Sequence, residues 1–533
     1  MNLSQYYHTL QYLKPRQIVF RVYYSLRRSF RKAIGFRYRL QKTPKSVRFL
    51  DFLPSLPAQV TWVPASHTFS FLHVSHTFGD RFDWSEKRFG KLWTYNLHYF
   101  EYLGTPGLSA AAGTVLIEDF IRHLPAVPEA LEPYPTALRI LFWSRFLAAH
   151  RIESAEIEAS LYAQAYILAD QIEYHLLGNH YLENGFGLLF AAYRYEDQYL
   201  YRKAYDIIYE ELQEQILPDG GHFERSPMYH QIILYRVLDC LNLVSNNPDF
   251  GKPDFKPFLE KKAAVMMGWL QEITFSNGDI PLLNDSARGI APDTLALQDY
   301  AKRLGVAIHH TPLQESGYRK FTIPPFELVA DAGEIGPDYI PGHAHSDTLS
   351  FELCVGGFPF IVDSGISTYE KNSRRQYERS TAAHNTVQVD QFEQTEAWGG
   401  FRVARRARPL ILEEKPNLLA ATHTGYDHLG IRHLRTFTVD SKAVSINDKV
   451  VPVDDKPIES FVYQAYIHFM EGVQVTLKED NTLETTLASV CFEGATKVEI
   501  QSYEYAPAFN TLKPAQKAVI QFKDSLHTTI RAL

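Results

Sequence analysis

Cysteine is scarce. Cys240, Cys354 and Cys491 are the three in the chain, far apart and odd in number, so no disulfide framework is indicated. Long apolar runs are absent too. No stretch reaches the roughly twenty apolar residues that a membrane span needs, which predicts no stable membrane insertion. The amino-terminal residues M-N-L-S-Q-Y-Y-H-T-L-Q-Y-L-K-P-R lack a basic segment followed by an apolar run, so no signal-peptide pattern is visible. The expectation is a cytoplasmic protein, or a periplasmic one by another route. Positive charge is in deficit: the net charge is -7 and the pI about 6.3. That balance argues against a general nucleic-acid binder, although a local arginine cluster can still meet an anionic ligand.

Aromatic residues are plentiful, at 14% of the chain. They suit a sugar-stacking surface and equally a large core. A basic aromatic segment, R-V-Y-Y-S-L-R-R-S-F-R-K at 21–32, is read as a solvated helix face in preference to a membrane-surface segment. The length of 533 residues predicts more than one domain.

Three zones follow from the periodicity. Residues 1–105 mix short helical patterns with turns and read as an extension packed on the next zone. Residues 106–320 carry apolar residues at i, i+3, i+4 and i+7, as in 137–150, 160–176, 203–212 and 228–244. Residues 321–533 change to a period of two, as in S-F-E-L-C-V and R-T-F-T-V, with turns rich in Gly, Asp, Asn and Pro. A helical half followed by a strand half predicts separate layers, not an alternating α/β fold. Successive helical hairpins suggest a toroid or partial toroid, and the strands a large antiparallel sandwich.

Chemistry collects in four places. In G-N-H-Y-L-E-N-G-F-G (178–187), Asn179, His180 and Glu183 stand at a helix start, where they can reach a cleft or cap and fill a core. In D-G-G-H-F-E-R-S-P-M-Y-H-Q (219–231), Ser226 is a natural N-cap and Pro227 a natural first residue. The helix they begin carries Tyr229 at its positive dipole end, where a phenolate can be stabilised; His222 and Glu224 precede it. In P-G-H-A-H-S-D-T-L-S (341–350), His343 and His345 lie two apart and point the same way if extended. Asp363 and His384 stand at nearby strand ends, and such a set can assemble a nitrogen–oxygen metal site, although the spacing is no local metal motif. Finally, arginines concentrate at 374–379 and 401–408, including Arg379 and Arg402.

Taken in order, these blocks resemble the heparinase II/III family of bacterial polysaccharide lyases. The resemblance runs through P-Y-P-T-A-L-R-I (133–140), N-H-Y-L-E-N, G-G-H-F-E-R-S-P-M-Y-H, G-D-I-P-L-L-N-D-S-A (278–287), G-H-A-H-S-D-T-L-S-F-E-L, V-D-S-G-I-S-T-Y-E, R-S-T-A-A-H-N-T-V and W-G-G-F-R-V. It implies an N-terminal incomplete (α/α) toroid followed by an antiparallel β-sandwich, and β-elimination at a uronic acid in an anionic polysaccharide.

On that resemblance Asn179 and His180 hold the carboxylate, and Glu183 orients His180 or tunes its charge. Tyr229 abstracts the C5 proton, protonates O4, or does both; His343 is the partner base or a positioning group. Tyr134, Arg139, His222, Glu224, Arg379 and Arg402 are the expected substrate contacts. His345, Asp363 and His384 match zinc-binding positions, with zinc expected to be structural. A uronate-containing exopolysaccharide or capsule stands beside heparin as an expected substrate. Two other readings stay open: a glycoside hydrolase using Glu183 with Glu224 or Asp285, and a non-catalytic protein of glycan binding or exopolysaccharide assembly.

Overall fold

The computed structural model describes residues 3–454 and 461–533. Two helices open it, α1 (Leu3–Leu10) and α2 (Pro15–Ala33). A three-stranded antiparallel sheet follows over Thr61–Val63, Thr68–Phe71 and Val74–Thr77. This sheet is not expected from the sequence; its strands are only three or four residues long, too short for a clear alternation. Trp62, Phe69 and Phe71 nevertheless bury in the same core as the helices behind them.

Helices then fill the rest of the N-terminal half: α3 (Lys91–Tyr99), α4 (Ala110–His123), α5 (Pro133–Ala149), α6 (Ala155–Asp170), α7 (Gly178–Tyr195), α8 (Gln198–Gln215), α9 (Pro227–Asn246), α10 (Phe255–Ile273) and α11 (Thr294–Arg303). Their starts follow local chemistry. Ser154, Asp197 and Ser226 each accept a hydrogen bond from a first-turn backbone N–H, and α5 and α9 begin on prolines whose missing N–H is no loss there. The helices form the incomplete (α/α) toroid.

Its centre is α7, buried at every position but His180. The helix-interior glycines cost about 1 kcal/mol each in propensity, and packing explains them. A Cβ on Gly187 would stand 2.7 Å from the Ala137 backbone of α5, and one on Gly185 2.8 Å from Ile207 of α8. Close approach on both sides fixes the start of α7, and with it Asn179 and His180.

The C-terminal half is an antiparallel β-sandwich. One layer runs Tyr318–Ile323, Phe326–Asp331, Phe351–Val355 and Phe358–Ile361 in sequence order. The larger layer is built around the long pair Ala488–Ala508 and Thr511–Ala532, with Ile431–Val439 and Val444–Pro452 beside it. Ile431–Val439 alternates buried and part-exposed residues throughout, as expected of a sheet covered on one face. Phe326, Leu328, Phe351 and Leu353 of the first layer share a core with Phe437, Ile446 and Ile520 of the second.

The two halves are joined through the segment before α11. Asp285 N donates to His343 O at 3.2 Å, and Ser226 Oγ donates to Asp285 O at 2.7 Å. The start of α9 and the His343 loop are thus both held to one short stretch of chain.

Candidate active site

The site lies where these segments meet. Tyr229, in the first turn of α9, stacks on His343 with ring centroids 3.9 Å apart and planes 31° from parallel. Two residues far apart in sequence, one from each half, therefore share one contact. Tyr229 lies on the wall of an open cleft. Tyr99, Tyr134, Tyr235 and Leu138 line it from the helical side, and Tyr369 and Phe509 from the strand side. Its aromatic walls suit a bound sugar segment.

Burial, with the neighbouring Tyr369, Asp285 and Glu224, pushes the Tyr229 phenol well above its ordinary range. The sequence pointed instead to a phenolate stabilised by the helix dipole. Burial and acidic neighbours outweigh that dipole, so the resting side chain is a protonated phenol, and its hydroxyl lies 3.2 Å from that of Tyr369.

Asp285 organises the imidazoles. This fully buried carboxylate takes His343 Nδ1–H at 2.8 Å and His345 Nε2–H at 2.9 Å, and both its oxygens meet the Arg375 guanidinium at 2.5 and 2.7 Å. Burial opposes its charge, but Arg375 and the two histidines hold its pKa well below the carboxylate range. With Nδ1 engaged by Asp285, His343 turns its Nε2 toward Asn179, 3.4 Å from Nδ2.

Asn179 Nδ2 also donates to Glu224 Oε2 at 2.9 Å. Glu224 is buried, which raises its pKa, and it lies 3.6 Å from His343 Nε2. His180 is the part-exposed residue of α7 and packs on Tyr134 with centroids 4.6 Å apart. Burial works against its charge, yet the Glu173 carboxylate, 3.2 Å from Nδ1, lifts its pKa. Leu177, just before this group, has φ +65°, a costly conformation for a branched residue and of the kind found beside functional sites.

Several expected residues sit elsewhere or act differently. Glu183 does not hydrogen-bond His180; it pairs with Arg236 of α9 at 3.3 Å, and Glu173 takes the expected role because the turn at Leu177 folds it back onto His180. Arg139 is fully buried and bonds Gln164 and the carbonyls of His98 and Ala130, so it braces α5 and reaches no substrate. His222 is buried against Gln215 at 2.9 Å. Arg379 is buried and donates to the carbonyl of Ala344, between the two key histidines, so it shapes their loop from behind. Arg402 is exposed and lies over Trp398.

Beneath His343 lies a second cluster. His345, Asp347 and His384 are buried, and one ligand atom from each falls within 4.8 Å of the others. His345 Nδ1, Asp347 Oδ2 and His384 Nε2 are buried here without a hydrogen-bond partner among the described residues. Such orphans are costly unless something occupies the space between them. The opposite nitrogens are engaged, His345 Nε2 by Asp285 and His384 Nδ1 by Asp363 at 2.6 Å. Carboxylates behind imidazoles are what a metal site requires of its surroundings, and burial keeps His345 neutral, with its pKa lowered to about 3. The residues fit a metal ion. Asp363, expected as a ligand, is in this structure the partner behind His384, and Asp347 completes the triad. The two-residue spacing that singled out His343 and His345 continues to Asp347 and was the overlooked signal. Asp285, weighed from the sequence only as an acid of a hydrolase, holds the two histidines instead, and Tyr369 and Arg375 were missed as site residues.

Residues 308–533 match the family described as heparinase II/III-like, C-terminal, and residues 139–302 match heparinase II/III N-terminus. A heparin-sulfate lyase of Bacteroides thetaiotaomicron is 26% identical over 306 residues, 49% of this chain and 42% of that protein. A heparin-sulfate lyase of Pedobacter heparinus is 24% identical over 397 residues, 64% of this chain and 55% of that one. The chain thus spans about half the length of these relatives. Among solved structures, a heparinase III superposes with a TM-score of 0.67 at 18% identity, covering 86% of this chain and 80% of its own. A mutant heparan sulfate lyase of Pedobacter heparinus does so with 0.60 at 16% identity, covering 88% and 81%. With both family segments present in order over the toroid and the sandwich, the chain belongs to the heparinase II/III-like family.

Proposed function

We propose that the protein is a polysaccharide lyase that cleaves a uronic-acid-containing glycan by β-elimination. The observation that carries this reading is the Tyr229–His343 contact beside the cleft, an acid and a base supplied by opposite halves of the chain. Asn179 and His180, whose pKa Glu173 lifts, receive the uronate carboxylate, which lowers the barrier to forming negative charge at C5. His343 Nε2 takes the C5 proton. The C5–H electrons form the C4–C5 double bond, the C4–O4 bond breaks, and Tyr229 gives its phenolic proton to O4. The product end is a 4,5-unsaturated uronate, and no water is consumed. Exchange with solvent then removes the proton from His343 and returns one to the Tyr229 phenolate, which restores the resting pair.

The paired carboxylates argue against hydrolysis. Glu183 is tied to Arg236, and Asp285 to Arg375 and two histidines, so neither is free to act with Glu224. The cations near the cleft are also largely committed. Arg236 and Arg375 pair with buried acids, and Arg379 binds backbone carbonyls. That favours a polymer with one carboxylate per recognised sugar and few sulfates, such as an exopolysaccharide or capsule, over heavily sulfated heparin.

Zinc is the metal that two imidazoles and one carboxylate suit best. His345, Asp347 and His384 would hold it, with Asp285 and Asp363 behind the imidazoles. Bound there, it would supply a fixed anchor for the loop that carries His343. Incubation with a panel of uronate polymers, followed by product mass, tests the reaction: fragments that sum to the parent mass support elimination, and gain of one water per cut overturns it.

A further inference from the structure

A surface helix normally turns its apolar stripe to the core. α2 is mounted the other way round. Its protein-facing side is polar and aromatic. Gln17 Nε2 donates to the carbonyls of Leu176 and Tyr339, Tyr24 OH donates to Ile172 O, and Arg27 and Arg31 bond Asp170. Phe20 lies on Tyr174 with centroids 4.5 Å apart. Val19, Val22, Tyr23, Leu26 and Phe30 fall within an arc of about 100° on the opposite side. They are 49–67% exposed.

Charge accompanies this face. Residues 1–50 contain twelve lysines and arginines and no aspartate or glutamate, in a chain of net charge -7. Arg28, Lys32, Arg37 and Arg39 are exposed, and among the described residues they pair with no carboxylate. An outward apolar stripe on a segment rich in unpaired cations has one complementary surface, an apolar layer under anionic headgroups. A hydrated polyanion would satisfy the cations and leave Leu26 and Phe30 in water. A second copy would cover the stripe but bring two strongly basic segments together.

We propose that α2 docks the protein on an anionic lipid bilayer, with Val19, Val22, Leu26 and Phe30 in the acyl boundary and the surplus positive charge of residues 1–50 drawn to the headgroups. The contact is peripheral, since no helix among the described residues is long and apolar enough to cross a membrane. The segment that α2 grips, Asp170 to Leu176, runs directly into Asn179, so docking would hold the cleft close to the surface. The segment read from sequence as a solvated face thereby gains a partner.

The test is flotation of the full chain with vesicles of phosphatidylcholine alone or with about 30% phosphatidylglycerol, at low salt and in about 0.5 M NaCl. The protein should float with the anionic vesicles only, and high salt should weaken binding by about tenfold or more. A Leu26→Glu, Phe30→Glu double variant should lose at least about tenfold in affinity while keeping the parent melting temperature, because both side chains face solvent. Absence of flotation with anionic vesicles overturns the proposal, as does undiminished binding by the double variant. A dimer that the double variant dissolves, seen by light scattering, would assign the stripe to a second copy instead. Retention on a soluble anionic polymer without vesicle binding would assign the cations to a glycan.

Discussion

Replacing Asp285 with asparagine separates positioning from packing at the centre of the site. The carboxylate accepts from His343, His345 and both terminal nitrogens of Arg375, and it is fully buried, so water cannot compensate for a lost partner. The amide of Asp285→Asn would keep one oxygen but turn an NH₂ toward a donor, and it would leave the buried Arg375 charge without its counter-ion. Stranding one partner of a buried ion pair costs about 3–5 kcal/mol, so unfolding by denaturant should shift by that amount. The His343 ring would also lose the acceptor that fixes its tautomer, and turnover should fall by about 10²–10⁴ with little change in KM. A second substitution, Arg375→Met, removes the stranded charge. The double variant should regain most of the stability, since an apolar replacement of a buried pair is often neutral, and should remain inactive. The readouts are the ultraviolet absorbance of the unsaturated uronate product and denaturant midpoints. If Asp285→Asn turns over within about threefold of the parent, or if Arg375→Met restores activity along with stability, Asp285 does not position the base.

Tyr229→Phe removes one hydroxyl whose only hydrogen-bond partner among the described residues is Tyr369; turnover should drop by about 10³ with stability within about 1 kcal/mol of the parent, and near-normal turnover would remove the phenol from the reaction. Elemental analysis of purified protein should find about one zinc per chain, and His384→Ala should lose it together with several degrees of melting temperature; full metal retention in that variant would contradict the triad. Glu211 is buried, and its pKa is raised from 4.5 to about 7 by that burial, with Glu214 and Glu210 adding to the rise and Gln215 opposing it. A folded pKa above the unfolded one gives stability that is fully present below about pH 4.5 and is lost as pH rises through 7, to an extent of about 1–3 kcal/mol. Glu211→Gln should therefore flatten the fall in melting temperature between about pH 4.5 and 7.5, the window that runs from the unfolded to the folded pKa, and an unchanged slope would refute the assignment.

How far the sequence led depended on the range of each interaction. The start of α9 was legible because Ser226 and Pro227 act within one turn of it, and the long helices and alternating strands carry their periods on the surface of the text. The partnership of Tyr229 with His343 came only through the resemblance, since no local pattern links residues in different halves. Glu183 looked like the partner of His180 because helix spacing places them near each other, but spacing does not say which neighbour each side chain meets, and Arg236 claimed Glu183. Asp285 was visible in G-D-I-P-L-L-N-D-S-A, yet its role depends on a loop 58 residues away. The orientation of α2 was likewise hidden. Its amphipathic pattern was in plain view, but only the contacts with Leu176, Ile172 and Asp170 reveal that the apolar side faces outward.

The most direct test of the account is cleavage of a uronate polymer in water enriched in oxygen-18. Elimination driven by Tyr229 and His343 should give fragments with an unsaturated uronate end and no heavy oxygen, and Tyr229→Phe should lower both cleavage and absorbance by about 10³. Saturated fragments that carry one heavy oxygen per cut would contradict it.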